Sequence, residues 1–246
     1  MVEKNEKSIA IITARGGSKR IPRKNIREFC GKPILCYSIE AALLSGCFDT
    51  VMVSTDDEEI AAVARNAGAE IPFMRSAETA NDYATTSDVL KEVIERYKGN
   101  GKTFQSACCI YPTAPFVTAL KLQQAMEVLY SKNAMSVMPV VQYSFPPQRS
   151  VLIKDGLISL REPECFNSRS QDLEPIYHDA GQFYVFDVAA FEETGMLIGP
   201  KTRALIISDL EVQDIDNFED WKIAEMKYEF MCKSPQESML IEHEKV

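Results

Sequence analysis

At 246 residues with 46% hydrophobic side chains, the chain can bury one sizeable core, as a single α/β domain or as a domain with a modest insertion. A formal charge of −9 and a pI near 4.9 leave no extended basic face, which argues against a nucleic-acid surface. The polar start and the short apolar run after it exclude a secretory signal and a membrane span, and seven scattered cysteines without a C-x-x-C pair indicate reduced thiols rather than zinc or disulfides; the expectation is a cytoplasmic protein.

In chain order, residues 9–13 are a continuous apolar, β-branched run, which predicts a strand buried on both faces of a parallel sheet. A loop rich in glycine and cations follows. Pro33 can then occupy the first turn of a helix through about residue 45, which Gly46 ends. Residues 50–54 read as a second strand, Thr55 and Asp56 as caps of a helix over 57–66, and residues 70–73 as a short strand. Residues 87–97 carry the clearest amphipathic helical period, followed by a strand over 106–110. The prolines of Tyr111-Pro-Thr-Ala-Pro115 stop that strand, Thr118 caps a helix to about 130, and a strand follows over 135–140. This repeated β-α order predicts a doubly wound, mostly parallel sheet with ligands at the strands' C-terminal ends. After Val140 the pattern changes to a helix-poor excursion that includes a hairpin (151–154, Asp155-Gly156, 157–160). The sheet resumes at 182–186 and 204–208, a helix spans 217–232, and a polar tail from Lys233 is expected to be loosely ordered.

Four stretches could carry chemistry. Between Arg15 and Arg27 stand six cations (Arg15, Lys19, Arg20, Arg23, Lys24, Arg27) and no acid, in a chain that is acidic overall. Such a reversal of sign suits a polyanion, or it is a solvated basic loop. The loop is neither G-x-G-x-x-G nor G-x-x-x-x-G-K-[ST], but Gly16-Gly17 lets backbone approach phosphates, with Arg15 for bidentate contacts and Lys24 as a point charge. Near the end of a predicted strand, Asp214-Ile-Asp216 puts two carboxylates on one face of an extended segment, where they can hold Mg²⁺ or merely begin the next helix. The polar stretch 75–86 can line a base or ribose, or be an ordinary loop ending in a cap. The fourth stretch, 167–184, holds His178 beside Asp179, either a substrate-orienting pair or a pair that satisfies itself in a turn.

At these places the sequence resembles the CMP-sugar synthetases, cytidylyltransferases that activate acidic nine-carbon sugars of the sialic acid type. Ala14-Arg-Gly-Gly-Ser-Lys-Arg-Ile-Pro-Arg-Lys-Asn25 is similar to the family's CTP-binding signature, and Pro112-Thr-Ala-Pro115 to its Pro-Thr-Ser-Pro turn. The likeness implies a Rossmann-like nucleotidyltransferase fold, a single domain over residues 1–246 with a β-rich dimerisation insertion at about 141–178, and a homodimer. It puts Thr13, Ala14, Arg15, Asn25, Arg75, Ala84 and Thr86 at CTP, together with Gly16, Gly17 and Ser18 of the same loop. Lys24 falls at the phosphates, and Asp214 and Asp216 at Mg²⁺; with Arg15 these are the expected catalytic residues. Tyr111 replaces the Gln usual in sialic acid enzymes, and His178-Asp-Ala-Gly181 replaces an Arg-Pro-Asn-Gly type segment. Asn167-Ser-Arg-Ser-Gln-Asp-Leu-Glu-Pro175 followed by Tyr177-His-Asp-Ala-Gly-Gln-Phe-Tyr184 is similar to the pseudaminic acid cytidylyltransferases, so Tyr111, Arg169, His178 and Gln182 are the candidates for the sugar, with Arg169 for its carboxylate. The implied partners are CTP and an acidic nine-carbon sugar, with pseudaminic acid ahead of N-acetylneuraminate and legionaminate. A non-catalytic nucleotide-binding regulator on the same fold is the reading from a different class.

Overall fold

The computed structural model describes residues 8–233 of the chain. The first apolar run forms β1 (Ser8–Thr13), which lies inside the sheet and is covered on both faces, so every residue but the last is buried. A small antiparallel ribbon, β2 (Glu28–Phe29) and β3 (Lys32–Pro33), follows the basic loop and turns through Cys30 and Gly31, both at positive φ. Helix α1 (Ile34–Ser45) begins one residue after Pro33, which takes the cap position instead of the first turn, and Gly46 ends it in the left-handed conformation. Then come β4 (Thr50–Ser54) and α2 (Glu58–Asn66). Asp57 caps α2 in place of Thr55 and Asp56, its carboxylate accepting from the amides of Glu59 and Ile60. Only a single bridge, Met52 to Glu70, forms where a strand over 70–73 is predicted.

A one-turn helix α3 (Ala77–Ala80) precedes α4 (Thr86–Gly99), which starts in a reciprocal capping box between Thr85 and Asp88. Beyond them lie β5 (Ser106–Ile110), α5 (Ala119–Ser131) capped by Thr118, and β6 (Ser136–Gln142). The excursion contains the ribbon β7 (Val151–Lys154) and β8 (Leu157–Leu160), joined through Asp155 and Gly156 at positive φ as the sequence predicts. The chain returns through β9 (Tyr177–Asp179), β10 (Phe183–Asp187), α6 (Val188–Thr194), β11 (Thr202–Ile206) and α7 (Phe218–Lys233). The sequence reading lacks α3, α6, β9 and the β2–β3 ribbon, elements too short for a periodic signal. The predicted tail beyond Lys233 lies outside the described residues.

The main sheet has the order β11-β6-β10-β5-β1-β4, with β9 also paired to β6. Strands β4, β1, β5, β6 and β11 run the same way, and β10 and β9 run against them. Helices α1, α2 and α5 cover one face, packing on Ala10, Ile12, Val53 and Ile110; α4 and α6 cover the other, packing on Ile9, Ile11, Met52 and Cys109. This is the doubly wound sheet that the β-α order predicts. A third cluster, Phe29, Tyr37, Ile215 and Trp221, seats α7 against the β2–β3 ribbon.

Candidate active site

From β1 the chain crosses to β4 through α1 on one face, and from β4 it returns to β5, on the other side of β1, through α4 on the opposite face. Those connections part between β1 and β5, and a crevice opens at their C-terminal ends. It holds a cavity of about 390 Å³ whose walls are the basic loop, the Tyr111–Thr113 turn and Asp216. Of the expected residues, Thr13, Arg15, Gly17, Ser18, Lys24, Asn25, Tyr111 and Asp216 line it.

The loop has its own framework. Asn25 is buried and its Nδ2 donates to the Arg15 carbonyl (2.8 Å), folding the loop back on itself. The Gly16 amide donates to Asp56 Oδ1 (2.9 Å), and a Cβ on Gly16 would lie 2.8 Å from Asp57 Oδ2. Gly17 has nothing near a would-be Cβ and faces the cavity. So Gly16 serves packing against the α2 cap, and Gly17 leaves room for a ligand.

The six cations divide by role. Arg15, Lys19, Arg20 and Lys24 line the cavity. Arg23 instead pairs with Asp57 (2.5 Å) and Glu59, and Arg27 stacks on the rings of Phe218 and Trp221. Asp82, on the loop before α4, accepts from both Arg15 (2.7 Å) and Lys19 (2.6 Å), and these two hold its carboxyl below the ordinary range. Arg20 pairs with Asp216 (2.6 Å), and Lys24 Nζ donates to the Ile215 carbonyl (2.7 Å). Burial lowers the Lys24 pKa, while Asp216 and Asp214 oppose that shift.

The Asp pair does not close a strand, as the sequence reading expects. β11 ends at Ile206, a single 3-10 turn (Asp209–Glu211) intervenes, and the pair lies in the extended coil before α7. That coil still alternates: Ile215 is buried in the third cluster, so Asp214 and Asp216 turn away from the core together. Two hard carboxylates on one side of a backbone beside a cationic cavity are a donor set that fits Mg²⁺.

Other expected residues stand around the cavity. Ala14 is buried at the end of β1, its amide donating to the Ser54 carbonyl. Arg75 is only 8% exposed, donates to Ser54 Oγ and the Ser54 carbonyl, and has no ion pair among the described residues, so burial lowers its pKa. Thr86 Oγ1 is 3.4 Å from the Tyr111 hydroxyl, and Ala84 is fixed by its amide on Asn81 Oδ1. Tyr111 packs edge-on against Tyr184, whose hydroxyl donates to Asp179 Oδ2 (2.5 Å); burial, then that bond, raises the Tyr184 pKa.

Three sugar candidates lie off the cavity wall. Gln182 is buried behind it, donating to the Glu211 carbonyl (2.5 Å). His178 packs at a tilt against the Tyr143 ring, and Arg169 is exposed on the excursion. Lys19 and Arg20 entered the sequence reading only through the charge run, and Asp82 only as part of the polar stretch 75–86; none was assigned a role of its own.

The cytidylyltransferase family model matches residues 9–178. A pseudaminic acid cytidylyltransferase of Campylobacter jejuni is 39% identical over 90% of this chain and 96% of its own length. A CMP-N,N'-diacetyllegionaminic acid synthase of Legionella pneumophila is 36% identical over 88% of this chain and 94% of its own. Among solved structures, a CMP:2-keto-3-deoxy-manno-octonic acid synthetase complexed with CTP superposes with a TM-score of 0.67, covering 93% of this chain and 99% of that one at 16% identity, a likeness of fold. With a nucleotide-sized crevice at its switch point and these relatives along nearly its whole length, the chain belongs to the cytidylyltransferase family and is a nucleotidyltransferase.

Proposed function

We propose that this enzyme joins CTP to pseudaminic acid, an acidic nine-carbon sugar, giving the CMP-sugar and pyrophosphate. One observation carries the chemistry: a single cavity sets Arg15, Lys19 and Lys24 against Asp216, with Asp214 exposed two residues before it on the same coil. The choice of sugar rests on the Campylobacter relative.

In this reading the sugar's anomeric hydroxyl attacks the α-phosphate in line and pyrophosphate leaves. Arg15 and Lys24 neutralise the triphosphate, and Gly17 lets it lie against the backbone. Asp214 and Asp216 hold Mg²⁺, which when bound stabilises charge on the phosphates. Arg75, a buried guanidinium with no ion pair among the described residues, completes the nucleotide side with Thr13, Ser18 and Asn25, and Ala84 and Thr86 shape its edge. Tyr111 meets the sugar.

We further propose a homodimer working in the cytoplasm. Seven free cysteines suit a reducing compartment, and no helix among the described residues is long and apolar enough to cross a membrane. The excursion carries exposed Phe145, Leu152, Ile153, Leu157 and Ile158, an apolar surface that a second copy would cover. Arg169 and His178, which do not line the cavity of their own chain, would then meet the sugar bound to the other copy.

The test is pyrophosphate release from purified protein with CTP, Mg²⁺ and, in turn, pseudaminic, legionaminic and N-acetylneuraminic acids. Release with pseudaminic acid is expected. Release only with legionaminate would move the substrate toward the Legionella relative's, and CTP binding without release from any sugar would favour a regulator.

A further inference from the structure

The coil that delivers Asp214 and Asp216 has no ladder to hold it, yet side chains grip it at several points. Lys227 Nζ donates to the carbonyls of Asp209 (3.1 Å) and Val212 (2.7 Å) from α7. On the side facing the sheet, Lys121 of α5, with its side chain 8% exposed, pairs with Glu211 at 3.0 Å. The same ammonium donates to the Phe116 carbonyl at 2.9 Å, in the turn that follows Tyr111-Pro-Thr. Gln182, the residue before β10, donates to the Glu211 carbonyl through Nε2, while its own carbonyl accepts from the Tyr111 amide at 2.9 Å. Segments 111–118 and 180–183 leave the β5–β10 ladder side by side, and through Lys121 and Gln182 both are tied to 209–216 behind the cavity wall.

A buried ion pair is a poor investment for stability alone, because desolvation offsets its attraction and an apolar pair of similar volume often does as well. What such a pair supplies is a fixed geometry. We propose that Lys121, Glu211 and Gln182 form a brace of positioning residues that sets Asp214 and Asp216 relative to the Tyr111–Thr113 wall. Building on the cytidylyltransferase reading, this makes the brace a determinant of metal-nucleotide binding rather than of the nucleoside, and it reassigns Gln182 from the sugar to the Asp pair.

The probes are Mn²⁺-loaded CTP, titrated calorimetrically without sugar, and metal-free CMP. The variants are the double substitution Lys121→Met with Glu211→Met, which replaces the pair by apolar volume, and the single Gln182→Met. Both are expected to bind CMP as the parent does and to bind Mn²⁺-loaded CTP at least about tenfold more weakly, as for other residues that orient metal ligands. Lys121→Arg, which keeps the charge, should recover most of the loss. Folded variants that bind both probes like the parent would overturn the brace, and so would equal weakening of both. A rise in sugar KM for Gln182→Met with unchanged Mn²⁺-loaded CTP binding would return Gln182 to the sugar. Should the double variant not fold, Gln182→Met decides alone. A parent that makes no CMP-sugar refutes the proposed reaction and leaves this binding contrast intact.

Discussion

Ile12 and Ile153 both sit in short β-branched runs, yet Ile12 is fully buried and Ile153 is 73% exposed. β1 has a strand on either side and helices on both faces, so its side chains have somewhere to go. The β7–β8 ribbon pairs only with itself and leaves Leu152, Ile153, Leu157 and Ile158 open. A lone two-stranded ribbon is marginal in water, and apolar surface of this kind marks a contact. The half around β1 and β5 buries its apolar residues within one chain. The excursion leaves its own exposed, and it carries two of the sugar candidates, Arg169 and His178.

If the division is right, damage to each half should read out differently. The largest effect is expected at the Asp pair: Asp214→Asn or Asp216→Asn should lower turnover at least about 100-fold, with melting temperature and oligomeric state unchanged. Near-parent turnover would remove the pair from the chemistry. Next comes the ribbon, where Ile153→Asp combined with Ile158→Asp touches no intrachain core. Light scattering should find monomers, with kcat/KM for the sugar down about tenfold or more and CTP binding kept; an intact dimer would break the comparison.

Within the half around β1 and β5, Gly16→Ala should cost about 1–3 kcal/mol of stability, since its Cβ would press on an Asp57 carboxylate already fixed by Arg23 and the α2 cap. Gly17→Ala should leave the melting temperature alone, its Cβ meeting no protein atom within 4 Å. The smallest effect concerns pH. Burial disfavours the charged form of Lys24, so its proton leaves below the ordinary lysine range and turnover should fall as pH rises through that lowered value. Lys24→Arg keeps its charge and should carry the alkaline limb to higher pH, whatever its effect on the plateau.

Much of the frame was legible in the residue order. The apolar run of β1, the 3.6-residue period of α4, the Thr118 cap and the Asp155-Gly156 turn are local patterns with local causes. The basic loop was legible as a cationic stretch by its charge, and it lines the cavity. Its division of labour was not: Arg23 and Arg27 look like their neighbours in sequence but bond to α2 and α7 residues that only folding brings near. Gln182 and Glu211 are 29 residues apart, and nothing in either stretch announces their bond.

Residue order alone therefore determined the alternation of strands and helices, the end of the sheet where the crevice opens, and the positive charge of the loop that walls it. These follow from periodicity, capping and formal charge, which act over a few residues. Tertiary structure decided which cations face the cavity, that Asp214 and Asp216 arrive on a braced coil instead of a strand, and that the excursion's apolar face stays open within one chain. Those outcomes depend on contacts between segments far apart in sequence, where the path of the chain sets the partner.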